Sequence, residues 1–84
     1  MYYVYILKSV NHRSLYVGYT NDLRRRLKEH NEKRSKYTSL MGTWQLVYYE
    51  AYKSKRDAMK REQSLKQYGS SLGHLRRRIS GSLL

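Results

Sequence analysis

The sequence predicts a small α+β domain, a three-stranded antiparallel sheet flanked by helices in the order β-β-α-β-α-α. Three observations carry this reading. Short stretches rich in aromatic and β-branched residues are bounded by turn or capping signals. Between and after them, aliphatic residues recur at intervals of three and four. The chain has 84 residues, room for one domain only, read here as residues 1–80 with a flexible tail at 81–84. A chain of this length buries only roughly 60–65% of its unfolded surface, so its core is thin and an inward-facing polar residue is costly.

The elements follow in order. YYVYILK (2–8) is a largely buried strand, SVNHRS (9–14) supplies turn residues, and LYVGY (15–19) returns as the second strand of a hairpin with a longer loop. Gly18 inside that strand marks a bulge or a close backbone approach. Thr20 or Asn21 caps a helix reaching to about residue 32. KRSKYTSLMGT (33–43) reads as a basic loop, and WQLVYYEAY (44–52) as the third strand, with Trp44 a core anchor. Ser54 and Asp57 form a capping box that opens a helix from 55 to about 67, ended by Gly69. Ser70 or Ser71 starts a last helix whose buried stripe is Leu72, Leu75 and Ile79, with Arg76 to Arg78 as a basic turn.

Charge narrows the function. Eighteen Lys and Arg face six Asp and Glu, a formal net charge of +12 spread over every segment. Such a surface binds polyanions by releasing condensed counterions, and nucleic acid is the expected partner. A membrane surface fits less well, because the helices alternate basic and aliphatic residues without a wide aromatic face. With no cysteine, disulfides and thiolate zinc sites are excluded. MYYVYILKS is too short to span a bilayer and unlike a secretory signal, so the cytoplasm is the expected location. Ten tyrosines and no phenylalanine give the strands a core-filling ring that keeps a polar end.

One helix face is irregular. Leu23, Arg26, Leu27 and His30 share a stripe, half of it apolar and half polar. The next long helix repeats the pattern with Ala58, Glu62 and Leu65, the middle member being one of the chain's few acids. An Arg26–Glu62 ion pair would explain both, although buried pairs are poor stabilisers. The other explanation is a polar cleft in which a carboxylate holds a hard cation while an arginine and a histidine contact phosphate oxygens.

YVY at 3–5, YVG at 16–18, Arg26, His30 and the later helical Glu62 together resemble the GIY-YIG nuclease domain. Tyr5 and Tyr16 are eleven apart, and Arg26 follows ten residues after Tyr16 in YVGYTNDLRRRL. DLRRRLKEHN and AMKREQSLK (58–66) are closer still to the small stand-alone bacterial members, the UPF0213 type, and the likeness runs from 2 to about 68. The resemblance implies a metal-dependent endonuclease that hydrolyses DNA phosphodiester bonds with Mg²⁺ or Mn²⁺, with weak sequence preference and selectivity for single strands or particular structures. It implies that Tyr5 or Tyr16 takes a proton from the attacking water and that Glu62 is the metal ligand. It implies also that Arg26 holds the scissile phosphate and that His30 orients a hydroxyl or phosphate. No small-molecule cofactor is implied. Arg24, Arg25, Lys33, Arg34 and Lys36 read as residues that track the DNA backbone. The family's opening glycine is Tyr3 here, and no asparagine follows Asn31, where larger relatives carry one near the site; His74 reads as a surface residue rather than its substitute. A non-cleaving nucleic-acid-binding module is the alternative.

Overall fold

The structure is a computed structural model that describes residues 1–10, 13–32, 43–67 and 69–84. Strands β1 (Tyr2–Ser9) and β2 (Leu15–Thr20) precede helix α1 (Leu23–Asn31); then come β3 (Trp44–Tyr52), α2 (Lys55–Gln67), α3 (Gly69–Arg78) and a 3-10 turn at Ser80–Leu83. The sheet runs β2-β1-β3, and β1 pairs antiparallel with both neighbours.

Because strand side chains alternate between faces, β1 supplies two cores. Val4 and Ile6 join Val17, Ala58, Leu65 and Leu75 on the face covered by α2 and α3. Tyr5 and Leu7 join Trp44 on the other face, packed by Tyr16, Leu46 and the α1 residues Leu23 and Leu27. The aliphatic half of the irregular stripe therefore does anchor α1 to the sheet. A bulge sets which residues of β3 reach which core. Ile6 pairs with Tyr48 but Leu7 with Leu46, leaving Val47 as an extra residue. That slip puts Trp44 and Leu46 on the α1 face while Val47, Tyr48 and Tyr52 stay with the opposite core.

Local chemistry fixes the helix ends. Asp22, one residue beyond the expected caps, accepts from the Arg25 amide (3.1 Å), while Thr20 Oγ1 accepts from the Asp22 amide (3.0 Å). Ser54 Oγ accepts from the Asp57 amide (3.2 Å), the predicted start of α2. The Asn31 side-chain amide clamps both backbone groups of Trp44, accepting from its N–H (2.7 Å) and donating to its carbonyl (3.1 Å), and so ties the end of α1 to the start of β3. On the opposite face Glu50 accepts from Tyr48 (2.6 Å), Tyr52 (2.5 Å) and Arg61 Nε and Nη2 (2.9 and 3.1 Å), which pins α2 against β3.

One expectation changes at the carboxyl end. Gly69 opens α3 instead of closing α2, since a glycine is tolerated at a helix start as well as past a helix end. Ser80–Leu83 form a 3-10 turn, in which the Ser82 amide bonds to the Ile79 carbonyl (2.8 Å), and the turn touches β3.

Gly18 pairs directly with Tyr5, whose ring lies across it. A Cβ there would sit well inside contact distance of the Tyr5 hydroxyl and Cζ, and 2.9 Å from Tyr16 Cε1. The Tyr5 ring is buried and its hydroxyl is bonded to His30, so it has no free space to yield. Gly18→Ala should therefore lower stability by about 1–3 kcal/mol, measured by urea unfolding, with Tyr5 displaced from its partner on α1.

Candidate functional site

The site assembles at the β2 edge. Tyr5 comes from the central strand and is buried; Tyr16 comes from β2 on the same face and is half-buried. The Tyr5 ring crosses Gly18 to reach α1, where its hydroxyl is hydrogen-bonded to His30 Nε2 at 2.9 Å. His30 also packs edge-on against Tyr16, with ring centroids 4.8 Å apart, and Trp44 supports Tyr16 from the other side at 6.2 Å. One helical turn before His30, the half-buried Arg26 interacts with the Tyr5 and Tyr16 hydroxyls and pairs with Glu29 Oε1 (3.2 Å).

Glu62 arrives from the other layer. Helix α2 lies on the sheet face opposite α1, with Ala58 and Leu65 beneath it and Arg61 held to β3 by Glu50. This leaves Glu62 and Lys66 on the side of the helix nearest β2. They pair at 3.4 Å, and the Lys66 ammonium stands 6.0 Å from the Tyr16 ring centroid. The Glu62 charge is felt at Tyr5. The structure thus brings Tyr5, Tyr16 and His30 into direct contact, with Arg26 beside the two tyrosines and Glu62 reaching the same edge from the second helix layer. The Arg26–Glu62 ion pair is not made among the described residues; each takes a partner on its own helix instead.

Electrostatics follow from burial. The Tyr5 hydroxyl is pushed up to about 12, first by burial and then by Tyr16, against the opposing pull of Arg26. His30 is pushed down to about 4, first by burial and then by the Arg26 charge, so it is neutral near pH 7. Burial disfavours the charge on Arg26, but Tyr5, Glu29 and Tyr16 outweigh it and raise its pKa.

Among the described residues no three His, Cys, Asp or Glu side chains gather into a metal cage. One carboxylate does suit a hard cation that keeps most of its waters, as Mg²⁺ does. Glu62 is half-buried and its partner Lys66 is exposed, so that pair is weak enough to exchange for such an ion.

The remaining candidates separate. Arg24 and Arg25 are exposed on α1, Arg25 donating to Asn21 Oδ1 (3.2 Å) and Arg24 bordering an open cleft of about 410 Å³ with Tyr3 and Tyr49. Lys33, Arg34 and Lys36 lie outside the described residues. His74 is exposed and accepts from Arg77 (2.9 Å). Glu29, Lys66 and Asn31 were missed by the sequence reading. The first two stand three and four residues from Arg26 and Glu62, a spacing that could have flagged them. Asn31 had no such signal, because its partner is thirteen residues away.

Comparison with known proteins places these residues in context. The family described as the GIY-YIG catalytic domain matches residues 1–76. A UPF0213 protein of Clostridium perfringens is 48% identical over 67 residues, covering 79% of this chain and 71% of the relative. One from Bacillus pumilus is 46% identical over 66 residues, covering 77% and 66%. One from Staphylococcus epidermidis is 44% identical over 68 residues, covering 80% and 82%. The solution NMR structure of a UPF0213 protein from Bacillus halodurans superposes with a TM-score of 0.56 at 34% identity, over 93% of this chain and 85% of that one.

The buried neutral His30 gives a signed pH prediction. Its folded pKa lies below the ordinary histidine value, so between about pH 6.5 and 4 the unfolded chain binds the extra proton and stability falls on acidification. Thermal melts should decline across that window, and His30→Gln should flatten the decline between about pH 6.5 and 5, above the range in which ordinary carboxylates titrate.

Proposed function

The chain belongs to the GIY-YIG family, and on that footing we propose that it is a metal-dependent endonuclease that hydrolyses phosphodiester bonds in DNA, favouring single-stranded or branched forms with weak sequence preference. The family is one of nucleases, which makes nucleic acid the substrate class. The observation that carries the finer reading is the meeting of Tyr5, Tyr16, Arg26 and His30 at one strand edge, with the carboxylate of Glu62 reaching that edge from the opposite layer. A binding module has no use for an acid there, beside a surface otherwise selected for positive charge.

In this reading Arg26 binds a non-bridging oxygen of the scissile phosphate and offsets the charge that grows on it in the transition state. Glu62 would hold a hydrated Mg²⁺ or Mn²⁺, which when bound acidifies water and neutralises the phosphate. Water oxygen bonds to phosphorus as the bond from phosphorus to the sugar oxygen breaks. The proton lost by the water passes to the Tyr16 oxygen, which releases its own to solvent, and solvent protonates the departing sugar oxygen. Tyr16 takes this role because the Tyr5 hydroxyl is buried, bonded to His30 and held at a pKa of about 12. Tyr5 and neutral His30 then serve to fix the Tyr16 ring, which leans on both.

A panel of labelled single strands, flaps, branches and duplexes, assayed with Mg²⁺ and Mn²⁺, tests the proposal. Glu62→Gln and Arg26→Ala should each lower the cleavage rate by about 10²–10³-fold while DNA binding persists. Tyr16→Phe should lose about 10²-fold or more in rate, whereas Tyr5→Phe should mainly lose stability, about 1 kcal/mol for its hydrogen bond. Binding without metal-dependent cleavage under any condition would leave a nucleic-acid-binding module.

A further inference from the structure

A groove leads away from the site between β2 and α3. Its first part is a cavity of about 240 Å³ lined by Leu15, Tyr16, Val17, Leu65, Lys66 and Leu72. Its second part, about 410 Å³, is lined by Lys8, Arg13, Leu15, Arg76, Leu83 and Leu84. Leu15 borders both, and Leu72 and Arg76 stand one helical turn apart on α3, so the two cavities follow one another along the helix. Tyr16 is therefore shared between the cleavage site and the entrance of this groove.

The two parts differ in chemistry. The first is walled by aliphatic side chains and one tyrosine ring, with a lysine at its rim. The second holds three cationic side chains and no acidic one. Among the described residues no carboxylate side chain pairs with Lys8, Arg13 or Arg76; the ion pairs formed are Arg26–Glu29, Arg61–Glu50 and Lys66–Glu62. Three like charges around one cavity repel each other, and an anion entering it relieves that repulsion. An apolar, ring-bearing slot followed by unneutralised cations is the arrangement that takes an unstacked base and then the phosphates of the same strand. A base held in a duplex cannot enter the slot.

We propose that this groove carries the single-stranded DNA segment next to the cleavage point. One base lies against Tyr16 and the wall of Leu65 and Leu72, and the following phosphates contact Lys8, Arg13 and Arg76. The proposal rests on the nuclease reading for the identity of the strand it carries, but it concerns binding and is measured apart from cleavage.

The experiment is fluorescence anisotropy with a labelled single strand in the absence of divalent ions, titrated over a range of salt. Three proteins are compared: wild type, the groove variant Lys8→Gln/Arg13→Gln/Arg76→Gln, and a control, Lys53→Gln/Arg56→Gln/Lys60→Gln, that removes equal charge from exposed positions around the start of α2. Loss of three phosphate contacts should make the slope of log K against log salt shallower by about 2 and weaken binding about 10-fold or more at low salt, with the control changing far less. Because Lys8 is half-buried, Arg13→Gln/Arg76→Gln, confined to exposed positions, provides a second variant, with an expected slope change of about 1.4. Wild-type affinity and slope in both groove variants, or an equal loss in the control, would overturn the groove. An equal slope change on duplex would overturn its assignment to single strands. Cleavage by wild type is scored separately with Mg²⁺, so absence of cutting rejects the nuclease reading without touching the binding result.

Discussion

The site depends on one contact, the Tyr5 ring lying across Gly18 to meet His30. It joins the central strand, the edge strand and α1 through a single side chain. The missing Cβ of Gly18 makes the crossing possible, and the buried imidazole gives the hydroxyl the partner that burial demands. Tyr16 then has two rings and Trp44 to lean on, so its position follows from that of Tyr5. Arg26 is carried in on the same helix, one turn away from His30.

A second arrangement sets the other half. Glu50 gathers two tyrosine hydroxyls and both donors of the Arg61 fork on the far side of α2, so that all its acceptor capacity is spent within the fold. Hydrogen bonding to Arg61 and the tyrosines outweighs the burial that acts against its charge, and its pKa falls below the ordinary carboxylate value. Glu62, one residue further along and about 100° around the helix, pairs instead with a loosely held, partly exposed lysine. Two neighbouring acidic or basic groups on one helix thus differ in what surrounds them: Arg61 is structural cement, whereas Glu62 remains exchangeable.

Much of this was legible in the chain. The strands, the second helix and its Ser54 cap depend on nearby residues, and their signals are local. The polar half of the α1 stripe was visible because arginine and histidine interrupt a leucine period. Gly18 announced a close approach without saying what approached. The Asn31 clamp and the Glu50 cluster were hidden, since each joins residues far apart in sequence through ordinary polar side chains. Gly69 misled because one glycine satisfies either a helix stop or a helix start. Glu62 was marked by its stripe and by family likeness, but its route around the edge of the sheet depends on how α2 is held by β3, which no periodicity encodes.

The bulge at Val47 has a consequence for how this chain can vary. On its two sides β3 obeys opposite parities, so Tyr48, Glu50 and Tyr52 face α2 while Trp44 and Leu46 face α1. Losing Leu46 with the bulge kept would turn the first half over like a page, withdrawing the indole that props Tyr16 and presenting Gln45 on that face, whereas losing Val47 itself would only remove the bulge and leave both halves facing as they do. Geometry therefore tolerates a strand one residue shorter at the bulge, but not a shift of one within its first half.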